Sequence, residues 1–306
     1  MSNSPVEFLL EEADVALDIV YVTNELDLPH TLPEHDVLFV AIAESGQNVP
    51  LLKKIQTNLQ SWHRPVLNLP ERIAILSRDN NCAQLKSIPG VDMPSTVRVS
   101  RQQLEQIGAG QLSLAAYLDD GDFPVIVRPV DSHAGQGLEK LAGACDIAGY
   151  LSGMAGSEFY VSRFVDYRGT DGLFRKYRIV LIEGRPFVCH MGISEHWMIH
   201  YLNAGMAESA EKRDEEALFM EEFDTSFAVR HAAAFKEINK RIGLDYLGID
   251  CAETSDGRLL IFEVDSCMIV HAVDSVDVFP YKQPQMRKVF NAFRQMLVHA
   301  VQRAQA

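Results

Sequence analysis

No C-x-x-C pair occurs in this chain of 306 residues, and its five cysteines, Cys82, Cys145, Cys189, Cys251 and Cys267, are scattered and odd in number. That pattern does not read as a disulfide framework. It reads as a reduced, cytoplasmic protein. No apolar run approaches the roughly 20 residues of a membrane span. The opening stretch MSNSPVEFLLEEADVALDIV carries acids among its apolar residues and has no basic leader, so a signal peptide is not expected. Positive charge is scarce: 28 Lys and Arg against 42 Asp and Glu leave a formal charge of −14. Broad binding to nucleic acid or to an anionic membrane needs a basic face and is excluded on this balance, whereas a small anionic ligand is still allowed where cations gather locally. Internal repeats and low-complexity segments are also missing. What remains is ordinary for a globular protein, 47% apolar and 23% charged residues, and the length suggests two or three subdomains.

Against that background LGIDCAETSDGRLLIFEVDS near the C-terminus is rich in chemistry. Two apolar, β-prone runs flank Asp256-Gly257, and a two-residue Asp-Gly turn between such runs predicts a hairpin. Counting outward from Ser255 opposite Arg258 puts Asp250 across from Glu263, and Asp265 falls on the face of Glu263 because side chains alternate along a strand. In this register Leu259 and Ile261 share that face, so three carboxylates converge on a surface that starts out apolar. Like charges opposed across a ladder are destabilising unless a cation sits among them. Oxygen-only ligands suit Mg²⁺, which completes its shell with water and substrate phosphates, so magnesium with a nucleotide is expected. The alternative is a hairpin with a solvated acidic face. Cys251 and Cys267 beside it read as packing cysteines.

Elsewhere the order of elements is that of an α/β (α+β) protein. VLFVAIA over Val37–Ala43 reads as a strand buried on both faces, NVPLLKKIQTNLQSW as a helix and RPVLNLP as the next strand, a βαβ unit. An open α/β domain is expected over residues 1–95, with RIAILSRDNNCAQLKSI as a connecting helix at its end. SRQQLEQIGAGQLSLAAYLDD begins with a Ser cap and keeps helical spacing to about Leu118. Strands FPVIVRPV and EFYVSRFV and a short helix near CDIAGYLSG complete a second unit, 96–165. A third, 166–306, holds the hairpin RKYRIVLI/PFVCHM, a helical stretch over 207–242, the acidic hairpin and a closing amphipathic helix, KVFNAFRQMLVHAVQRA.

Three further segments carry candidate chemistry. In FPVIVRPVDSHAGQG the strand delivers Arg128, and Gly135 and Gly137 follow. Glycines let backbone N–H groups approach phosphate closely, and a guanidinium clamps phosphate oxygens in pairs. Along RKYRIV, Lys176 and Arg178 share one strand face, so either they are solvated or an anion bridges them. GISEHWMIHYLNAG gathers His196, Trp197, His200 and Asn203. His196 and His200 have the i, i+4 spacing of a helical zinc pair, but no Glu follows His196, so a zinc-protease reading fails and substrate recognition or packing is left.

Taken in order, the Arg128 strand with its Gly loop, YVSRFV, KYRIV, NAG, GID and FEVD resemble the ATP-grasp superfamily, most nearly the branch with glutathione synthetase and the ribosomal-protein glutamate ligase. The resemblance spans roughly Arg64 to Asp274 and is most specific at the acidic hairpin. HWMIHYLNAGM and YVSRFVDYR are also similar to ATP-grasp modules appended to some tetratricopeptide-repeat proteins. The resemblance implies a fold of two αβ subdomains clasping a nucleotide behind the N-terminal domain. It implies Asp250, Glu263 and Asp265 as ligands of two Mg²⁺ ions, with Mn²⁺ able to substitute, and Glu263 as the bridge between them. Arg128 stands at the usual phosphate-binding Lys, Arg178 at a phosphate-contacting Arg, and Ser162, Arg163, Phe164 and Val165 at the hinge whose backbone holds adenine. Lys176 and the Gly loop would assist at the phosphates, and Asn203 with Gly205 would lie near the reacting phosphate.

Three departures stand out: Asp265 for the family's Asn, Arg128 for Lys, and Arg163 where an acid is common. Asp for Asn keeps an oxygen ligand, and Arg for Lys keeps the charge with a different contact shape. The implied activity is an ATP-dependent carboxylate–amine ligase that passes through an acyl phosphate, with Arg128, Arg178 and Asn203 at the reacting centre. Its partners would be a small carboxylate and an amine, amino acids or a peptide among them, and the family admits a homodimer. The alternatives are a small-molecule kinase of the same fold and, because of the departures, a nucleotide-binding module without catalysis.

Overall fold

The computed structural model describes residues 3–25, 32–119, 121–132 and 135–305. In the N-terminal region the βαβ order holds, but the strand expected over Val37–Ala43 shrinks to β1 (Leu38–Phe39), paired in parallel with β2 (Val66–Leu67) across the helix Val49–Leu59. The ladder is short because its neighbours' polar groups are satisfied elsewhere. The Ser4 N–H donates to the Ala41 carbonyl, and the Asn68 side chain spans both backbone groups of Tyr246 at 2.9 and 3.0 Å. The expected connecting helix is split into Pro70–Ile73 and Arg78–Leu85. After it, β3 (Val91–Asp92) pairs in parallel with a strand of the far C-terminal hairpin.

A four-stranded antiparallel sheet follows, made of β4 (Thr96–Ser100), β5 (Val125–Pro129), β6 (Glu139–Leu141) and β7 (Glu158–Arg163) in the order β4-β7-β5-β6. Ser100 caps the helix Arg101–Gly108 and Gln103 returns the bond, a capping box. That helix stops ten residues short of the expected Leu118, since Gly110 turns to φ +70° and only a 3₁₀ turn, Leu114–Ala116, follows. Val127, Phe159 and Leu104 meet in the core between this sheet and its helices.

The larger sheet contains β8 (Phe174–Ile182), β9 (Arg185–Ser194), β10 (Tyr246–Glu253) and β11 (Leu259–Asp265), in the order β3-β11-β10-β8-β9. RIVLI is unbroken because this sheet is covered on both faces. Ile179 and Leu181 enter one core with Phe235 and Ile238, while Val180 and Ile182 enter another with Val289 and Phe293 of the helix Lys282–Gln305. The stretch 207–242 forms three helices, Ala210–Glu222, Phe227–Arg230 and Ala232–Ile242. Among the described residues no helix is long and apolar enough to cross a membrane. All five cysteines are unpaired, with Cys251 and Cys267 buried.

The acidic hairpin corrects the sequence reading in an instructive way. Its turn is not the two-residue Asp-Gly type. Glu253 pairs with Leu259 and the Thr254 N–H donates to the Arg258 carbonyl, which leaves three loop residues ending in Gly257 at φ +78°. A three-residue loop with glycine in the left-handed region is the next preferred solution. This slips the register by one, and a β-bulge at Phe262 slips it back: Cys251 pairs with Ile261, but Asp250 pairs with Glu263 as expected. Adjacent strand residues point to opposite faces, so Leu259 and Ile261 lie on the face away from Glu263, not on it.

Candidate active site

Arg178 on β8 stands directly opposite Asp250 on β10. Asp250 is 2% exposed, and both its oxygens are taken. Arg178 donates through Nε and Nη2 at 2.8 and 3.0 Å, and Lys176 Nζ lies 2.8 Å from Oδ2. The anion that bridges the two cations is therefore the protein's own carboxylate. Burial works to raise the Asp250 carboxyl, but Arg178 and Lys176 outweigh it and hold the group far below the usual carboxylate range. Arg178 also donates to the Ile269 carbonyl at 3.1 Å, and Lys176 to that of Ile199 at 3.2 Å.

Glu263 and Asp265, on the same sheet face, open onto a narrow cleft of about 40 Å³. Glu44, Arg78, Asp131 and Tyr160 line it with them. The loop after β1, the helix Arg78–Leu85, the loop after β5, strand β7 and the hairpin thus meet at one place. Arg78 pairs with Glu263 and donates to the Phe262 carbonyl at 3.2 Å. Burial would raise the Glu263 carboxyl, yet Arg78 and Arg128 keep it low. For the neighbouring acids the balance goes the other way. Burial followed by Asp131, Asp265 and Asp79 lifts Glu44 to about 7, and burial with Glu263 lifts Asp265 to about 6.

Asp250, Glu263 and Asp265, expected as ligands of two Mg²⁺ ions, share one sheet face, but Asp250 is closed off by Lys176 and Arg178 while Glu263 and Asp265 face the cleft. Among the described residues no three His, Cys, Asp or Glu side chains are grouped so as to hold a metal. The physical reason is that Lys176 and Arg178 neutralise Asp250 and Arg78 neutralises Glu263. Arg128 is likewise occupied: 9% exposed, it donates from Nε to Ser132 Oγ at 3.1 Å and from Nη2 to the Ser132 carbonyl, closing the loop after β5. Burial and the nearby Arg78 push its guanidinium down to about 10.

In the Gly loop, Gly135 and Gly137 have φ +74° and +63°, and a Cβ on Gly137 would lie 2.8 Å from Pro129 Cδ, so only glycine fits there. His133 and Ala134 of this loop lie outside the described residues. At the end of β7, Ser162 Oγ is 2.9 Å from Thr96 Oγ1, and Arg163 pairs with Asp92 at 2.8 Å, which accounts for the cation where an acid is common. The Phe164 N–H donates to the Pro124 carbonyl at 3.2 Å, and Val165 packs against the main core.

His196 and His200 are both exposed on an irregular segment, so their helical spacing has no structural counterpart. Asn203 ends an exposed 3₁₀ turn, and none of His196, Trp197, His200 and Asn203 lines the cleft. Beneath that turn is a buried network invisible in the sequence. Lys282 contacts Asp274 at 2.8 Å, and Glu216 accepts from Tyr281 at 2.6 Å, from Tyr201 at 2.9 Å and from the Met191 N–H at 2.9 Å.

No protein-family model matches the chain, and neither does any curated protein. Solved structures do. The VanG D-Ala:D-Ser ligase from Enterococcus faecalis is similar over 89% of this chain and 74% of its own, at TM-score 0.53 and 15% identity. The D-alanine-D-alanine ligase from Coxiella burnetii is similar over 89% and 70%, at TM-score 0.51 and 12% identity. The likeness is one of fold: the chain has the ATP-grasp fold, an α/β architecture in which two sheet-bearing subdomains follow an N-terminal α/β region.

Proposed function

We propose that this protein is an ATP-dependent ligase joining a carboxylate to an amine, with ADP and phosphate released through an acyl phosphate. The observation that carries the reading is the cleft. It brings hairpin carboxylates Glu263 and Asp265 together with Arg78 and with Asp131 and Ser132 at the start of the loop that Arg128 closes, so acids and a cation share one place beside that loop. The D-Ala:D-Ser and D-alanine ligases of the same fold act on amino acids, and a small amino acid is the substrate class favoured for this chain.

The cleft's chemistry fits a magnesium ion. Its oxygen donors are hard, and Glu44, Asp131, Glu263 and Asp265 line it together, with burial first and like charge second raising Glu44 and Asp265, a balance that a bound cation would oppose. Glu263 and Asp265 would hold the ion, Mn²⁺ substituting, and when bound it supplies neutralisation of phosphate charge. Around it, Arg78 and Arg128 stabilise charge developing on the transferred phosphoryl group, and the backbone at Gly135 and Gly137 admits the phosphates. Ser162 to Val165 form the hinge against which the base rests. Glu44, held at about 7, is suited to take a proton from the incoming ammonium near neutral pH.

The test is ADP release with Mg-ATP and pooled amino acids and small carboxylates, with mass spectrometry on the same samples. The expected product has the mass of acid plus amine minus water. Glu263→Gln should slow ADP release about 1000-fold, which is about 4 kcal/mol of transition-state stabilisation, while circular dichroism stays native. Full activity in that variant overturns the assignment. One observation favours a second reading, nucleotide binding without catalysis: both Asp250 oxygens are held by protein cations. That reading predicts that Mg-ATP raises the melting temperature and no acid or amine ever yields ADP.

A further inference from the structure

Tyr160 stands at the centre of a row that crosses three strands. It pairs with Arg98 of β4 on one side and with Arg128 of β5 on the other, so the three side chains share one face of the four-stranded sheet. That face is turned away from the core, into which Phe159 and Val161, the neighbours of Tyr160 along β7, point instead. Both arginines are already engaged. Arg98 Nε donates to Glu158 Oε1 at 3.0 Å, and Arg128 closes the loop after β5 on Ser132. The Tyr160 hydroxyl has no protein partner among the described residues, although the residue is only 6% exposed and lines the cleft.

The Gly46 N–H donates to Asp131 Oδ1 at 3.3 Å, which draws the loop that carries Glu44 against the loop after β5. Burial first, then Asp79 and Glu44, push the Tyr160 phenol up to about 12, so it keeps its proton at any working pH. A protonated hydroxyl without a partner is a donor for an oxygen that a ligand brings. Glu44 and Asp131 disfavour a multiply charged phosphoryl group beside it. A carboxylate carries a single charge, and in an amino acid its own ammonium offsets the same two acids. We infer that Tyr160 donates a hydrogen bond to the carboxylate of the acid substrate and so sets affinity for that substrate. One carboxylate oxygen accepts from the phenol while the other attacks the γ-phosphorus, whose bond to the bridging oxygen of ADP breaks; the tyrosine proton stays where it is. The inference deepens the ligase reading above and rests on it. A tyrosine that only packs the cleft wall would be replaced by phenylalanine without effect on the substrate.

The test compares the unmodified protein with Tyr160→Phe, which keeps the ring and removes only the hydroxyl. Both are assayed with Mg-ATP and the acid and amine that the unmodified protein converts from pools of amino acids and small carboxylates. The variant should raise KM for the acid about 10- to 100-fold, the range of a lost hydrogen bond to a charged group, while KM for ATP and for the amine stays within about 2-fold. Its kcat should change less than its KM for the acid, the pattern of an interaction made in the ground state as well as in the transition state. Circular dichroism should stay native. An unchanged KM for the acid overturns the proposal. A KM for ATP that rises as much as that for the acid assigns the hydroxyl to the phosphates and overturns it as well. If the unmodified protein yields no ADP from any pool, the ligase reading falls first, before any variant is compared, and this proposal falls with it.

Discussion

Asp250 and Asp265 sit on one sheet face and were chosen by the same alternation of strand residues, yet their surroundings are opposite. Asp250 is sealed between Lys176 and Arg178 and held far below the ordinary range, whereas Asp265, two residues beyond Glu263 and facing the cleft with Glu44 and Asp131, is raised to about 6. A carboxylate whose charge is already cancelled holds the fold together. In the proposed function, one that no protein cation meets is the carboxylate that a ligand's cation would meet. The cost of the second arrangement falls on stability, because a buried carboxylate beside like charge disfavours the folded state.

The largest effect expected from this contrast is at Asp250. Asp250→Ala leaves two cations buried without a partner and should lower the unfolding free energy by about 3–5 kcal/mol in urea titrations. A loss under about 1 kcal/mol would mean that the sealed pair is not structural. Next comes Glu44, with a folded-state value of about 7 against an ordinary 4.5. The folded protein binds this proton more tightly, so the stability it contributes is complete below about pH 4.5 and is lost as pH rises through 7. Glu44→Gln should flatten that fall and be about 1–3 kcal/mol more stable than the parent at pH 8. An unchanged pH profile would remove Glu44 from the cleft's electrostatics. The smallest effect is at Asp265: Asp265→Ala at pH 8 should be neutral or stabilising by about 1 kcal/mol in thermal unfolding, because it relieves a like charge next to Glu263. The same substitution two strand positions past Glu263 would then differ in sign from that at Asp250, and matching losses at both sites would erase the comparison.

The pairing of Asp250 with Glu263 was legible although the turn was misread. The three-residue loop and the bulge at Phe262 each shift the ladder by one, in opposite senses, and only the sum matters at Glu263. The face of Leu259 and Ile261 was not legible, since a bulge leaves no mark in a pattern where both faces of the sheet are buried. Nor was the role of Arg78, which sits in a stretch that reads as a plain connecting helix, or of Glu44 and Asp131, which look like ordinary loop acids. His196 and His200 show the reverse error: a helical spacing in a segment that forms no helix. Lys282 and Glu216 resemble any charged residues on helices, and nothing local announces that both are buried.

The sequence alone determined the order of the elements, the ATP-grasp resemblance and the placement of three acids on one hairpin face. Strand alternation, caps and glycine turns act over a few residues, so they survive in the order of the letters. Which cation meets which carboxylate was decided only in three dimensions. Arg178 is 72 positions from Asp250 and Arg78 is 185 from Glu263. Whether a carboxylate becomes a sealed structural anchor or an open candidate ligand depends on burial and on the charges that tertiary packing brings beside it.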